Sequence, residues 1–159
     1  MNILNETHME SIVREVIRQV KSSARMNLKL ATAIMEKVEA EATRMGVKAV
    51  VAVSDASGRP VAVHCMDGAY IGSYDIAVNK TYTSVAFQMP TANLAELAAP
   101  GGSLYGIQHT NDGKVVIFGG GEPLYLNGEL FGAIGVSGGT AKQDTELGAY
   151  GKKVFEELI

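Results

Sequence analysis

Apolar positions along the chain change period several times, and each change marks an element. Between residues 7 and 21 they recur at Met9, Ile12, Val13, Val16, Ile17 and Val20, with Glu10, Arg14, Glu15, Arg18 and Gln19 between them. Spacings of three and four gather the first set on one side of a helix. Thr7 and Glu10 have the form of a capping box, in which hydroxyl and carboxylate each satisfy a backbone N–H. The polar residues 22–27 read as a linker. A second helix is expected from Leu28 to Met45, with Leu30, Ile34, Val38 and Met45 on its apolar side and Gly46 as its terminator.

Period-two and β-branched runs follow. "KAVVAVSD" and "RPVAVHCM" flank "DASG", which reads as a hairpin. Residues 73–88 fit a helix stopping before Pro90, and "TANLAELAA" a shorter one ending at Pro100. After the loop-rich "GGSLYGIQHTNDGK", the runs "VVIFGG", "PLYL" and "ELFGAIGV" read as strands, the last two joined by Asn127-Gly128, a strong hairpin signal. Thr140 and Gln143 cap a final helix over 141–158. The order predicts an α+β fold, an antiparallel sheet of about five strands covered by helices on one side.

Composition narrows the partners. The 159 residues, 47% apolar, suffice for one core and one domain, residues 28–159, preceded by the N-terminal helix over 1–21. A net charge of −3 with scattered basic residues lacks the positive stripe that a phosphate backbone needs, so nucleic acid is not expected. Cys65 is the single cysteine, which leaves no internal disulfide. Glycine and polar residues interrupt every apolar run before the ~18 residues of a membrane span, and no secretory signal is apparent, so no membrane is expected and a cytoplasmic location is.

The stretch 115–140 holds eight glycines. In a phosphate loop they would run from a strand into a helix N-terminus, but Gly119, Gly120 and Gly121 run into another strand. They read instead as positions where backbone closely approaches a neighbouring subunit or a flat ligand, and Gly132 and Gly135 as the same within a strand. Turn and packing use is the competing reading.

"VVAVSDASGRPVAVHCMDGA", "SYDIAVNKTYTSVAF", "PGGSLYGIQ" and "VVIFGGGEPLYLNGELFGAIGVSGGTAKQD", in that order, resemble the GlcG/HbpS-like proteins, and most closely the C-terminal haem-binding domain of PduO-type proteins of microcompartments. The resemblance covers about residues 28–158. It implies a profilin-like, five-stranded antiparallel sheet with flanking helices, dimers that assemble further, often to octamers, and haem or another flat ligand held near subunit contacts. It departs at Cys65-Met66-Asp67, where the family usually has Arg-Met-Asp, so that a thiol replaces a guanidinium able to pair with a carboxylate. The N-terminal helix resembles encapsulation peptides of microcompartment cargo, which implies a microcompartment-lumen location and a shell or cargo partner docking on residues 7–20. The alternative is that it packs on its own domain.

Haem iron takes His, Cys, Met or Tyr as axial ligand. His64 and His109 are the candidate ligands; His8 is not favoured. Strand alternation puts His64 and Met66 on one face and Cys65 on the other. Lys80, sharing a helix face with Ile76 and Ser84, is expected beside the pocket, able to meet a carboxylate or to be a solvated lysine. Asp67 is a ligand contact or a turn residue with Gly68. Tyr70, Tyr74 and Tyr105 are able to stack on a flat ring, and Gly119 to Gly121 with Pro123 are expected as pocket wall. No Ser-His-Asp order, carboxylate pair or zinc-type cysteine spacing appears. The leading function is an oligomeric haem-binding protein of a bacterial microcompartment. The alternatives are a small enzyme acting on an aldehyde or hydroxy acid, with Lys80 and Asp67 as its polar groups, and a corrinoid-handling accessory protein.

Overall fold

The computed structural model describes residues 8–16 and 25–159. Helix α1 occupies residues 8–16, and its apolar stripe of Met9, Ile12, Val13 and Val16 is half or more exposed. Thr7, Ile17, Val20 and residues 22–24 lie outside the described residues, and with them the expected capping box and most of the linker. Helix α2 (Leu28–Arg44) starts where Asn27 accepts the Leu30 N–H at 3.0 Å. It buries Ala31, Ile34, Met35, Val38 and Ala42 and ends before Gly46, whose φ is +70°.

Four strands form one antiparallel sheet in the order β2-β1-β4-β3: β1 (Val50–Asp55), β2 (Pro60–Cys65), β3 (Gly121–Leu126) and β4 (Glu129–Ser137). Both expected hairpins form. Asp55 Oδ1 accepts the N–H of Ser57 and of Arg59 and the Ser57 hydroxyl, organising the first turn. Asn127 and Gly128 both take positive φ in the second, the type I′ pattern. The expected strand over 115–120 does not form among the described residues. Val115 and Val116 are buried, but the Val116 N–H donates to Thr83 Oγ1 rather than to a strand. The sheet therefore has four strands, not about five.

Helices cover both faces, not one. On one face α2 and α5 (Ala141–Leu158) bury Ile34, Met35, Val38, Leu147, Val154 and Phe155 against Val51, Val53, Leu124, Ile134 and Val136. On the other α3 (Gly72–Phe87) packs on Val50 and Ala52 through Ala77. The reason is in β1, which is apolar at both parities and buried from Val50 to Ser54, so neither of its faces is left to water. Helix α4 (Thr91–Ala98) flanks β3, and two 3₁₀ turns, Ile107–His109 and Asn111–Gly113, occupy the loop before it. The capping box of α5 is present: Thr140 Oγ1 accepts the Gln143 N–H, and Gln143 Oε1 accepts the Thr140 N–H. No helix among the described residues is long and apolar enough to cross a membrane.

Candidate functional site

The end of β2 brings three of the expected residues to one place. Register pairs His64 with Val51 and Cys65 with Val50, so His64 points to the α2 side and Cys65, exposed, to the other. His64 Nδ1 lies 2.5 Å from Glu39 Oε1 on α2. A carboxylate only accepts, so the proton between them sits on Nδ1, and in the neutral ring Nε2 keeps its lone pair. This is how a ligating histidine is commonly oriented. Met66 packs against the core, its sulfur accepting the Ala49 N–H at 3.4 Å, so the thioether is already engaged. Asp67 is exposed beside Gly68, whose φ of +80° makes the turn.

An open cleft of about 680 Å³ lies between α2 and the entry to β1, lined by Glu36, Glu39 and Thr43 on one side, Val47 and Lys48 on the other, and Met66 and Asp67. A second cleft of about 280 Å³ shares Gly46, Val47 and Lys48 with it and continues to Tyr70, Gly138, Gly139 and Gln143. Beyond Tyr70 a third, about 270 Å³, is lined by Ser73, Ile76, Phe118, Ser137 and Asp144. The Ser73 and Ser137 hydroxyls are 3.2 Å apart. Lys48, absent from the sequence expectations, lies at the junction of the first two clefts. A lysine two residues before a strand has no periodic signature.

Lys80 is not at a surface. It is fully buried, and its Nζ donates to the Val136 carbonyl oxygen at 2.6 Å and to Asp144 Oδ2 at 2.9 Å. Its remaining side faces the Phe118 ring, 4.9 Å to the centroid. Burial pulls the ammonium below its ordinary lysine value, and Asp144 opposes this. Asp144 also accepts the Gly139 N–H. In the sequence Asp144 reads only as an acid in the first turn of a helix, and nothing links it to a lysine 64 positions earlier. Glu122 on β3 is a second buried acid that the sequence did not flag. Burial raises its carboxyl above the usual value, with Lys152 pulling the other way.

The other candidates are dispersed. His109 is exposed on a 3₁₀ turn. Tyr70, Tyr74 and Tyr105 are 75%, 48% and 67% exposed, and Ile71 between the first two is 96% exposed. Gly119, Gly120, Gly121 and Pro123 are buried. A Cβ at the three glycines would meet Thr145 Oγ1, the Val136 carbonyl oxygen and Thr91 Cγ2 respectively, each within 2.6 Å. The room these glycines make is thus taken up by this chain's own β4, α4 and α5. Among the described residues no three His, Cys, Asp or Glu side chains gather as a metal-ion site.

A family model described as "Haem degrading protein HbpS-like" matches residues 26–152. An uncharacterized 15.0 kDa protein of the dhaT-dhaS intergenic region of Citrobacter freundii is 42% identical over 135 residues, 85% of this chain and 95% of that protein. The corrinoid adenosyltransferase PduO of Salmonella typhimurium is 38% identical over 106 residues, 67% of this chain but only 32% of PduO, so the chain spans about a third of that relative. The solved PduOC:heme complex superposes with a TM-score of 0.79 at 30% identity, covering 82% of this chain and 95% of that one.

Proposed function

The chain belongs to the HbpS-like family, and from that membership and the cleft beside α2 we propose that it is a haem-binding protein that works as a homo-oligomer in a bacterial microcompartment. One observation carries the haem reading: His64 is held through Nδ1 by Glu39, which itself lines a cleft whose 680 Å³ lies within the range of small-molecule sites. His64 would hold the iron, and bound haem would supply one-electron and oxygen chemistry. Met66 is taken up by the Ala49 N–H, and His109, on an exposed turn, is the donor that a second copy would have within reach. The relative solved as a haem complex supports the same reading.

Assembly is supported by Tyr70, Ile71 and Tyr74, an apolar patch at the start of α3 of the kind that marks interaction surfaces. Delivery to a microcompartment through residues 7–20 is supported by the exposed stripe of α1, whose spacing suits a helix-in-groove partner. Residues 1–21 then form a targeting segment and 22–27 its linker. The similarity to PduO supports a second reading, a corrinoid-handling accessory protein. An aldehyde- or hydroxy-acid-converting enzyme acting through Lys80 finds no support in an ammonium that is fully buried and held by Val136 and Asp144.

The test is a hemin titration followed by absorption spectroscopy, with His64→Ala and His109→Ala variants and light scattering for size. The expected outcome is a saturable Soret band that His64→Ala shifts or abolishes, in a particle larger than one chain. No specific spectrum in any of them would end the haem reading.

A further inference from the structure

We infer that Lys48 anchors the acidic end of the ligand, an inference that rests on the haem reading and adds a specificity residue to it. Lys48 lines both the 680 Å³ and the 280 Å³ clefts. Charge is sorted between them. The larger carries three carboxylates, Glu36, Glu39 and Asp67, of which Glu39 is engaged with His64. In the smaller, Lys48 is the one charged lining residue, accompanied by the Tyr70 hydroxyl and the Gln143 amide. An acidic group entering the trough is repelled at the end that carries the carboxylates and attracted at Lys48, while a flat body would lie along α2 against Ala40, Val47 and Glu39, whose carboxylate holds His64.

The ammonium is available for this. Lys48 is exposed and, among the described residues, makes no ion pair. Its Nζ lies over Gly68, within 3.0 Å of where a Cβ would stand. Glycine at 68 thus leaves the amine the space it occupies between the clefts. An ammonium is a point charge with three donors, able to take a carboxylate without a fixed approach angle. The ligand class is a planar apolar molecule with one or more carboxylate tails, and haem with its propionates is one member.

The experiment compares hemin with hemin dimethyl ester, whose propionates carry no charge, on the full chain and on Lys48→Ala and Lys48→Arg, by absorbance titration at low salt. Wild type is expected to prefer hemin over the ester by roughly tenfold, the scale of one charge-assisted hydrogen bond. Lys48→Ala should bind both alike, Lys48→Arg should keep most of the preference, and the Soret position should not move, because the iron ligand is untouched. Equal binding of the two porphyrins by wild type, or a preference surviving in Lys48→Ala, overturns the role of Lys48 and leaves haem binding standing. Failure of wild type to bind hemin at all overturns both.

Discussion

The two faces of the sheet are packed on opposite principles. Against α2 and α5 the sheet presents branched side chains, and the interface is filled by Ile34, Val38, Leu147 and Phe155 meeting Val51, Leu124, Ile134 and Val136. Against α3 it presents Val50 and Ala52 beside bare backbone at two positions: a Cβ at Gly135 would stand 2.2 Å from the Ala77 carbonyl oxygen, and one at Gly121 would stand 2.7 Å from Ser84 Oγ. The residues α3 buries there are largely small or polar: Ser73, Ala77, Thr81, Thr83 and Ser84, with Lys80 among them. One face gains by removing apolar area from water, the other by close approach and by hydrogen bonds from Lys80, Thr81 and Thr83, with the Ser54 and Ser84 hydroxyls buried beside them without a partner.

The contrast is sharpest for Asp144→Ala, which leaves the Lys80 ammonium buried without its carboxylate. A loss of about 3–5 kcal/mol is expected, read by denaturant melts. Replacing both partners, as in Lys80→Met with Asp144→Leu, should recover most of it. Next, one methyl is added to one face and one removed from the other. Gly135→Ala must displace α3 and should cost about 3 kcal/mol, whereas Ile34→Val should cost about 0.5–1.5 kcal/mol. Equal effects would mean that the glycine face yields as easily as the aliphatic one. The smallest effect concerns Glu122, buried on the aliphatic side. Its folded pKa lies above its ordinary value near 4.5, so between the two the native state holds a proton that the unfolded state has released, and stability falls as pH rises through that window. Glu122→Gln should therefore raise Tm at pH 7, by less than the roughly 4 °C that 1 kcal/mol gives in a chain of this size, and leave it unchanged near pH 4. A gain at both pH values would point to packing instead.

The pattern of apolar spacing, caps, turn residues and prolines located α2, α3, α4, α5 and the β1–β2 and β3–β4 hairpins, because each of these signals is local in the chain. It failed at 115–120, where two valines are buried without strand pairing because Thr83 takes the Val116 N–H. It also missed that β1 is covered on both sides. At the site, His64, Met66 and Asp67 were legible as a run, while Glu39, 25 positions away, and Lys48 were not, since the cleft joining them is made by the fold. Lys80 was noticed, but its burial was not, because its partner Asp144 lies on another helix.

The seat of α3 also limits how the molecule can move. Layers joined by interdigitating methyl groups can slide past each other in small steps, the usual means of shear motion. A helix resting on Gly135 and Gly121 has no such freedom, because displacement by one residue would drive Cβ atoms into strand backbone. Helix α3 and the strands beneath it have a single mechanical register. One helix thus ties the exposed Tyr70–Tyr74 end of the molecule to Gly121 of β3, at the edge of the sheet.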